Sequence, residues 1–226
     1  MSSKPRNFTP RSYYHIYNHA VHEKTVIFPT TQDYQRFLNT IAYYIFSQPF
    51  SYEQHQRLST PPANPKGLRK RAKVLAYAIM PNHFHLLLKP TEENPSEISR
   101  FVSDVTNSYT RHFNLKYKRS GVLFQGTFKA KEIIDEASLL QVSRYIHLNP
   151  LFSSRTNPKG LLVKPQNYEY TSYHEWAGFK NPHIVEADEI RFWTGRTGGT
   201  AGYRSFTEAK IKSNPASGIE QLILEK

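Results

Sequence analysis

Two apolar runs, Val74 to Met80 and His83 to Lys89, restrict the possible folds of this chain more than any other feature. Both are rich in residues that favour strands, and a Pro-Asn pair typical of turns separates them. Strands joined by such a short turn lie side by side and antiparallel. The sequence therefore predicts a β-hairpin whose second strand starts with the letters HFH.

Other segments show helical or strand patterns that extend this hairpin into a larger unit. Aromatic and β-branched residues predict a first strand, and apolar residues at helical spacing predict three helices. A weakly alternating stretch predicts a last strand with a bulge or close backbone approach at Gly126, and Pro150 is expected to end the third helix. The predicted strands outside the hairpin are Tyr13–Val21 and Gly121–Ile134, and the predicted helices are Thr31–Phe46, Ser96–Tyr117 and Glu136–Leu148.

The order of these elements is strand, helix, strand, strand, helix, strand, helix. That order predicts an α+β fold, a ferredoxin-like or RRM-like sandwich with helices packed on an antiparallel sheet. We expect one domain over residues 1–150 and a C-terminal extension over residues 151–226. Folds of this kind serve as RNA-recognition platforms, small-ligand modules and nucleases, so the architecture alone does not select a function.

Segments outside the regular elements give weaker signals. The Pro-rich and then basic stretch from Gln48 to Lys73 predicts an exposed loop. In the extension, an aromatic cluster spans Tyr168–Tyr173, the letters TGRTGGTAGYR predict a Gly-rich loop, and a short helix is expected around Ile219–Leu224. The extension is expected either to cover the sheet or to help recognise a nucleic-acid hairpin.

Composition favours a polyanionic partner. Lys and Arg number 30 against 18 Asp and Glu, a formal net charge of +12. Such an excess attracts phosphate backbones, but charge alone favours a merely soluble basic protein equally. The 15 Tyr and 14 Phe leave some rings for stacking on unpaired bases. The absence of cysteine excludes disulfides and thiolate metal sites. No apolar run is long enough for a signal peptide or a membrane span, so a cytoplasmic protein without membrane contact is the default expectation.

Four residues are candidates for chemistry. His83 and His85 point to the same face of their strand, where two imidazoles can bind one divalent ion, although an isolated His-x-His is more often structural. Tyr145 and Asn149 are four positions apart on a predicted helix and share a face, although a lone helical tyrosine is usually a packing residue. His147 falls on another side of that helix and is expected to be a surface or structural residue.

Together these motifs resemble a known superfamily. The letters MPNHFHLLLKP resemble the paired-histidine signature of the HUH superfamily, and RYIHLNP resembles the helix with its single catalytic tyrosine. The intervening stretch NSYTRHFNLKYKRSGVLFQGTFKAKEI and the first strand YYHIYNHAV are similar to the REP-associated tyrosine transposases, of the transposase IS200-like family. The resemblance covers about Tyr13 to Pro150, and YEYTSYHEWAGF is similar to a further motif after it.

The resemblance implies a function for each candidate. It implies that Tyr145 attacks DNA and forms a 5′-phosphotyrosine, and that His83, His85 and Asn149 hold a divalent ion, Mg²⁺ or Mn²⁺. The implied substrate is single-stranded DNA that forms hairpins, cut and transferred by a monomer or a homodimer. His15 and Gln125 are candidates to lie near such a site in this fold, but the sequence does not place them and neither is assigned a role. No general base is identified.

Three alternatives stay open at this point. The first is a non-catalytic module that binds single-stranded nucleic acid on the same fold; it has no use for the His pair. The second is an HUH nuclease of the replication-initiator or relaxase type, which differs in its surrounding motifs. The third is a domesticated copy with a host role.

Overall fold

The computed structural model describes residues 7–22, 24–58, 67–153, 156–157 and 164–223. These residues form four strands and seven α-helices within the described ranges, with short 3-10 helices at Pro165–Asn167 and Glu220–Leu222. The strands are β1 (Tyr13–His19), β2 (Ala72–Met80), β3 (His83–Pro90) and β4 (Lys129–Ile133). The helices are α1 (Thr31–Tyr44), α2 (Tyr52–Arg57), α3 (Glu97–Lys116), α4 (Glu136–Phe152), α5 (Tyr173–Trp176), α6 (Ala187–Gly195) and α7 (Gly199–Glu208).

The four strands form one antiparallel sheet in the order β2-β3-β1-β4. The predicted hairpin is present as β2 and β3, with Met80 paired to His83 across the turn. Strands β3 and β1 occupy the centre, and Tyr17 of β1 pairs with His85 of β3. The predicted α+β sandwich is therefore confirmed.

Helices cover both faces of the sheet because residues on β3 alternate between them. Phe84 packs against Phe37 of α1, with ring centroids 5.1 Å apart, and Phe37 in turn lies 5.1 Å from Tyr109 of α3. His85 faces the other way, toward Asn149 of α4. The apolar core lies between the sheet and these helices, and most Tyr and Phe side chains are buried in it.

The extension after residue 164 packs along the outer edge of β2. The backbone N–H of Ile79 donates to the Tyr170 carbonyl at 2.9 Å, and the N–H of Ser172 donates to the Tyr77 carbonyl at 3.0 Å. The indole of Trp176 adds a bond to the Leu75 carbonyl at 2.8 Å. The predicted aromatic cluster thus covers one edge of the sheet, where an open strand would otherwise expose backbone groups.

The structure corrects the prediction of a loop from Gln48 to Lys73. Residues 59–66 of that stretch lie outside the described residues, but helix α2 forms before them. Its signal was present in the sequence, because Ser51 and Gln54 form a capping box in which each side chain accepts a hydrogen bond from the other's backbone N–H.

Helix α4 also differs from the prediction, since it continues through Pro150 to Phe152. A proline in the last turn forfeits few backbone bonds, and the N–H of Ser153 still donates to the Asn149 carbonyl at 3.1 Å. Side chains complete the end of the helix: the Pro150 carbonyl accepts from the Thr156 hydroxyl, and the Leu151 carbonyl accepts from the Asn157 amide at 2.9 Å.

Three further predictions were wrong in extent. The last strand is limited to β4, because the chain turns at Gly126 with a positive φ of 58°. The Gly-rich stretch is not a loop but the end of α6, a turn and most of α7; Gly202 lies so close to the Thr197 carbonyl that a Cβ atom would stand 1.8 Å from its oxygen. The helix expected around Ile219 is the 3-10 helix Glu220–Leu222.

In the described residues, every helix is too short or too polar to cross a lipid bilayer.

Candidate active site

The HFH segment places two imidazoles on the sheet face that α4 covers. Phe84 points into the opposite core, 5.7 Å from the ring of Phe124. His83 and His85 are both buried, with ring centroids 5.2 Å apart and planes nearly perpendicular. The alternation of a strand therefore brings the two rings together as the sequence predicted.

A hydrogen bond to Asn82 fixes the tautomer of His83. Its Nδ1 lies 2.8 Å from Asn82 Oδ1. A carboxamide oxygen only accepts, so His83 Nδ1 carries the proton and donates. In the neutral ring, Nε2 then presents a lone pair, the form in which histidine binds metal ions.

A chain of two hydrogen bonds fixes His85 in the same way. His15 Nδ1 lies 3.0 Å from the Leu222 carbonyl oxygen and must donate to it. With His15 neutral, its Nε2 accepts from His85 Nδ1, at 2.9 Å. His85 Nε2 therefore also presents a lone pair, held in direction by the stacked His15 ring 5.1 Å away.

Helix α4 brings Tyr145 and Asn149 against His85. The amide Nδ2 of Asn149 donates to the Tyr145 hydroxyl oxygen at 3.0 Å and lies 3.4 Å from His85 Nε2. The rings of Tyr145 and His85 are 5.7 Å apart in an edge-to-face arrangement. Both α4 side chains are largely buried, so the four residues predicted from sequence lie in one shielded cluster.

The donor set fits a divalent cation. In the described part of the chain, no group of three His, Cys, Asp or Glu side chains is arranged to hold a metal ion. Two imidazoles with oriented Nε2 lone pairs are present, however, and the Asn149 carboxamide lies beside one of them. A site of two nitrogens and one neutral amide leaves the remaining positions to water or a substrate oxygen.

Strand β1 supplies residues that sequence reasoning did not assign. His15, Tyr17 and His19 share the face of the His pair, since they pair with β3 in register. Tyr17 packs beside both imidazoles, with its ring centroid 5.6 Å from His83 and 5.0 Å from His85. The alternation in YYHIYNH already indicates that His15, Tyr17 and His19 share one face of the strand. Only the pairing of β1 with β3 shows that this is the face of His83 and His85.

Gln125, the other unassigned residue, lies on the exposed loop before β4. Its backbone N–H donates to the His19 carbonyl at 2.8 Å. It therefore supports the end of β1 through its backbone.

His147 is a structural residue and not a surface one. Its Nδ1 lies 2.8 Å from the Tyr203 hydroxyl, and its Nε2 lies 2.8 Å from Ser172 Oγ, which joins α4 to the extension. Burial lowers the pKa of His147 from 6.5 to about 3, and His174 contributes a smaller repulsion. The ring is therefore neutral at physiological pH and belongs to the packing of the extension.

This chain is similar to known proteins in part of its sequence and in its fold. Residues 63–149 match the family described as transposase IS200 like, a stretch that contains the His pair, Tyr145 and Asn149. The structure of a REP-associated tyrosine transposase bound to a REP hairpin is similar with a TM-score of 0.55 and 16% identity, over 83% of this chain and 92% of that one.

A bacterial tRNA(His) guanylyltransferase-like protein in complex with GTP is similar only at a TM-score of 0.38 and 12% identity, over 65% of this chain and 64% of that one. No curated protein matches the chain in sequence. The family match confirms the predicted resemblance over residues 63–149, and the similarity to the REP-associated transposase structure confirms the predicted fold.

Proposed function

We propose, on the premise that residues 63–149 form a transposase IS200-like segment within the fold of a tyrosine transposase, that this chain cuts and rejoins single-stranded DNA. Tyr145 is the proposed nucleophile. The proposed metal ligands are His83, His85 and Asn149. Residues 1–150 are the proposed catalytic domain, and residues 151–226 are its C-terminal extension.

The observation that carries the proposal is the contact of Asn149 with both Tyr145 and His85. The amide nitrogen of Asn149 lies 3.0 Å from the Tyr145 oxygen and 3.4 Å from His85 Nε2. The Tyr145 oxygen would therefore lie close to an ion held by His85. A packing tyrosine needs no such neighbours. The shielded position also strengthens electrostatic effects on the phenol oxygen.

His83, His85 and Asn149 would hold the divalent ion, which would supply Lewis-acid chemistry toward the scissile phosphate. The Tyr145 oxygen forms a bond to phosphorus, and the bond from phosphorus to the 3′ oxygen breaks. The phenol proton is lost to solvent, and the released 3′ oxygen takes up a proton as a free hydroxyl. The phosphodiester is conserved in the tyrosine link, so a 3′ hydroxyl can reverse the reaction without a nucleotide cofactor.

The proposed substrate is single-stranded DNA next to a hairpin. The similar transposase was solved with a REP hairpin. The net charge of +12 supplies the attraction to phosphates. Mg²⁺ or Mn²⁺ is the proposed ion, since both accept mixed ligands that include phosphate oxygens.

Covalent capture on end-labelled DNA tests this proposal. With Mn²⁺ and a hairpin-containing strand, a label at the 3′ end should become attached to denatured protein. A label at the 5′ end should be released on a free oligonucleotide. Tyr145→Phe should bind the DNA but form no adduct, because it loses one oxygen and little volume.

Tyr17→Phe is the matched control, since Tyr17 also lies beside His85. It should keep the adduct. An adduct that persists in Tyr145→Phe and disappears in Tyr17→Phe would refute the assigned nucleophile. No adduct from the unmodified protein on any hairpin strand would favour the non-catalytic binding module.

A further inference from the structure

The edge strand β4 carries two lysines on the face of the candidate site. Lys129 pairs with Tyr17 and Lys131 pairs with His15, and residues paired across an antiparallel ladder share a face. Both lysines are exposed. Glu132, between Lys131 and Ile133, points to the other face and accepts from the Tyr14 hydroxyl at 3.2 Å. Charge is thus separated across β4, with the cations on the side of the His pair.

Lys129 extends the site outward from the imidazoles. Its ammonium lies 5.8 Å from the centre of the Tyr17 ring. That ring lies 5.0 Å from His85 and 5.6 Å from His83. A continuous path therefore leads from the exposed edge of the sheet across Tyr17 to the paired imidazoles.

Edge strands often carry lysines simply to prevent pairing with another sheet. A further role for Lys129 and Lys131 is indicated by a comparison with lysines on or next to β2 and β3, which are paired with carboxylates. Lys70 pairs with Glu186, and Lys73 and Lys89 both pair with Glu189. Among the residues that the structure describes, by contrast, no carboxylate forms an ion pair with Lys129 or Lys131. Two unneutralised cations beside a buried His pair suit an anionic ligand.

We propose that Lys129 and Lys131 bind backbone phosphates of the DNA strand next to the scissile phosphate, and that the strand crosses β4 over Tyr17. This inference rests on the proposed function and adds to it the direction from which the strand enters. Lys129 and Lys131 are positioning residues in this arrangement, and Tyr17 contributes only its ring, which phenylalanine also provides. Lysine contacts of this kind are sequence-independent and release counterions.

Salt-dependent binding tests the proposal in a Tyr145→Phe background, in which the DNA stays uncut. Changing both Lys129 and Lys131 to Ala should raise the Kd for the hairpin strand about tenfold at low salt. It should also reduce the slope of log K against log salt by about 1.4, since each single-strand phosphate contact contributes about 0.7. Lys212→Ala, an exposed lysine beyond α7, is the control and should leave both values within error.

Replacing single phosphates with neutral methylphosphonates locates the contact. The Tyr145→Phe protein should lose affinity when phosphates next to the scissile one are replaced. The same replacements should not change the affinity of the variant that also lacks Lys129 and Lys131. Equal slopes for the double variant and the Lys212 control would overturn the inference. So would a double variant that self-associates in gel filtration but binds DNA normally, because the lysines would then only protect the edge.

The outcomes separate this inference from the proposed function. If the protein with Tyr145 intact forms the adduct and the Lys variants behave as the control, only the β4 path is wrong. If that protein forms no adduct while the Lys variants lose binding, the path stands on a non-catalytic DNA-binding protein. If neither adduct nor binding is detected, both are wrong.

Discussion

His15 Nε2 lies 2.9 Å from His85 Nδ1, so the ring of His15 sets the direction of a second histidine that is proposed to bind a metal ion. Partners of this kind fix the tautomer and raise the basicity of a ligand. Their loss typically weakens metal affinity ten- to a hundredfold.

His15→Ala should therefore raise the Mn²⁺ concentration needed for half-maximal adduct formation by about 10- to 100-fold. Saturating Mn²⁺ should restore most of the activity. His183→Ala, at an exposed position in the extension, should leave the concentration unchanged. A loss of activity that no Mn²⁺ concentration restores would assign His15 a direct chemical role instead.

Removing either imidazole of the pair should have a larger effect. His83→Ala and His85→Ala each remove one of the few protein ligands, so adduct formation should fall more than about 100-fold at any practical metal concentration. Calorimetric titration with Mn²⁺ should show the loss of binding directly, and circular dichroism should show an unchanged fold. Full nicking by a variant that carries both His83→Ala and His85→Ala would refute the hypothesis that these residues bind a metal ion.

Metal preference should follow the nitrogen-rich donor set. Mg²⁺ binds oxygen ligands and keeps its waters, whereas Mn²⁺ accepts imidazole more readily. We expect half-maximal adduct formation at a lower concentration of Mn²⁺ than of Mg²⁺. A preference for Mg²⁺ in the unmodified protein would contradict this ligand set.

Asn149→Ala should lower the rate of adduct formation with both ions but leave a detectable adduct, since the nucleophile is kept.

Acid should destabilise the fold through His147. Its pKa is about 3 in the folded protein and about 6.5 when unfolded. The unfolded chain therefore binds a proton first as the pH falls, and stability is lost between about pH 6.5 and pH 3. At pH 5 the loss should be roughly 2 kcal/mol relative to pH 7.5.

His147→Gln keeps hydrogen-bonding groups but does not titrate. Urea unfolding at both pH values should show a smaller pH dependence for this variant, whatever its absolute stability. Identical pH dependence in both proteins would mean that folding does not lower the pKa of His147.

The contact between Gly202 and Thr197 should make any side chain at position 202 costly. A Cβ there would stand 1.8 Å from the Thr197 oxygen, so Gly202→Ala should destabilise the protein by about 1–3 kcal/mol or more. Gly195→Ala is the matched control, because a Cβ at Gly195, the last residue of α6, meets nothing within 4 Å. It should stabilise slightly through helix propensity. Thermal unfolding of the two variants checks the opposite signs.

The sequence predicted those features that local periodicity encodes. Alternation placed His83 and His85 on one face, and helical spacing placed Tyr145 beside Asn149. It did not predict His15, because its role depends on which strands are neighbours in the sheet. Helix α7 was missed for a related reason, since its glycines disfavour a helix locally and only the approach to Thr197 explains Gly202.

The hydrogen bond from His15 to the Leu222 carbonyl joins residues that are 207 positions apart. Contacts of such long range form late, because the loop between them must close first. On the ribosome, the His15 ring therefore takes its final orientation only after synthesis has passed residue 222. A nascent chain that already has β1, β3 and α4 still lacks the carbonyl that orients His15 and, through it, His85, so the full metal affinity proposed for this site should arise only after residue 222 has left the ribosome.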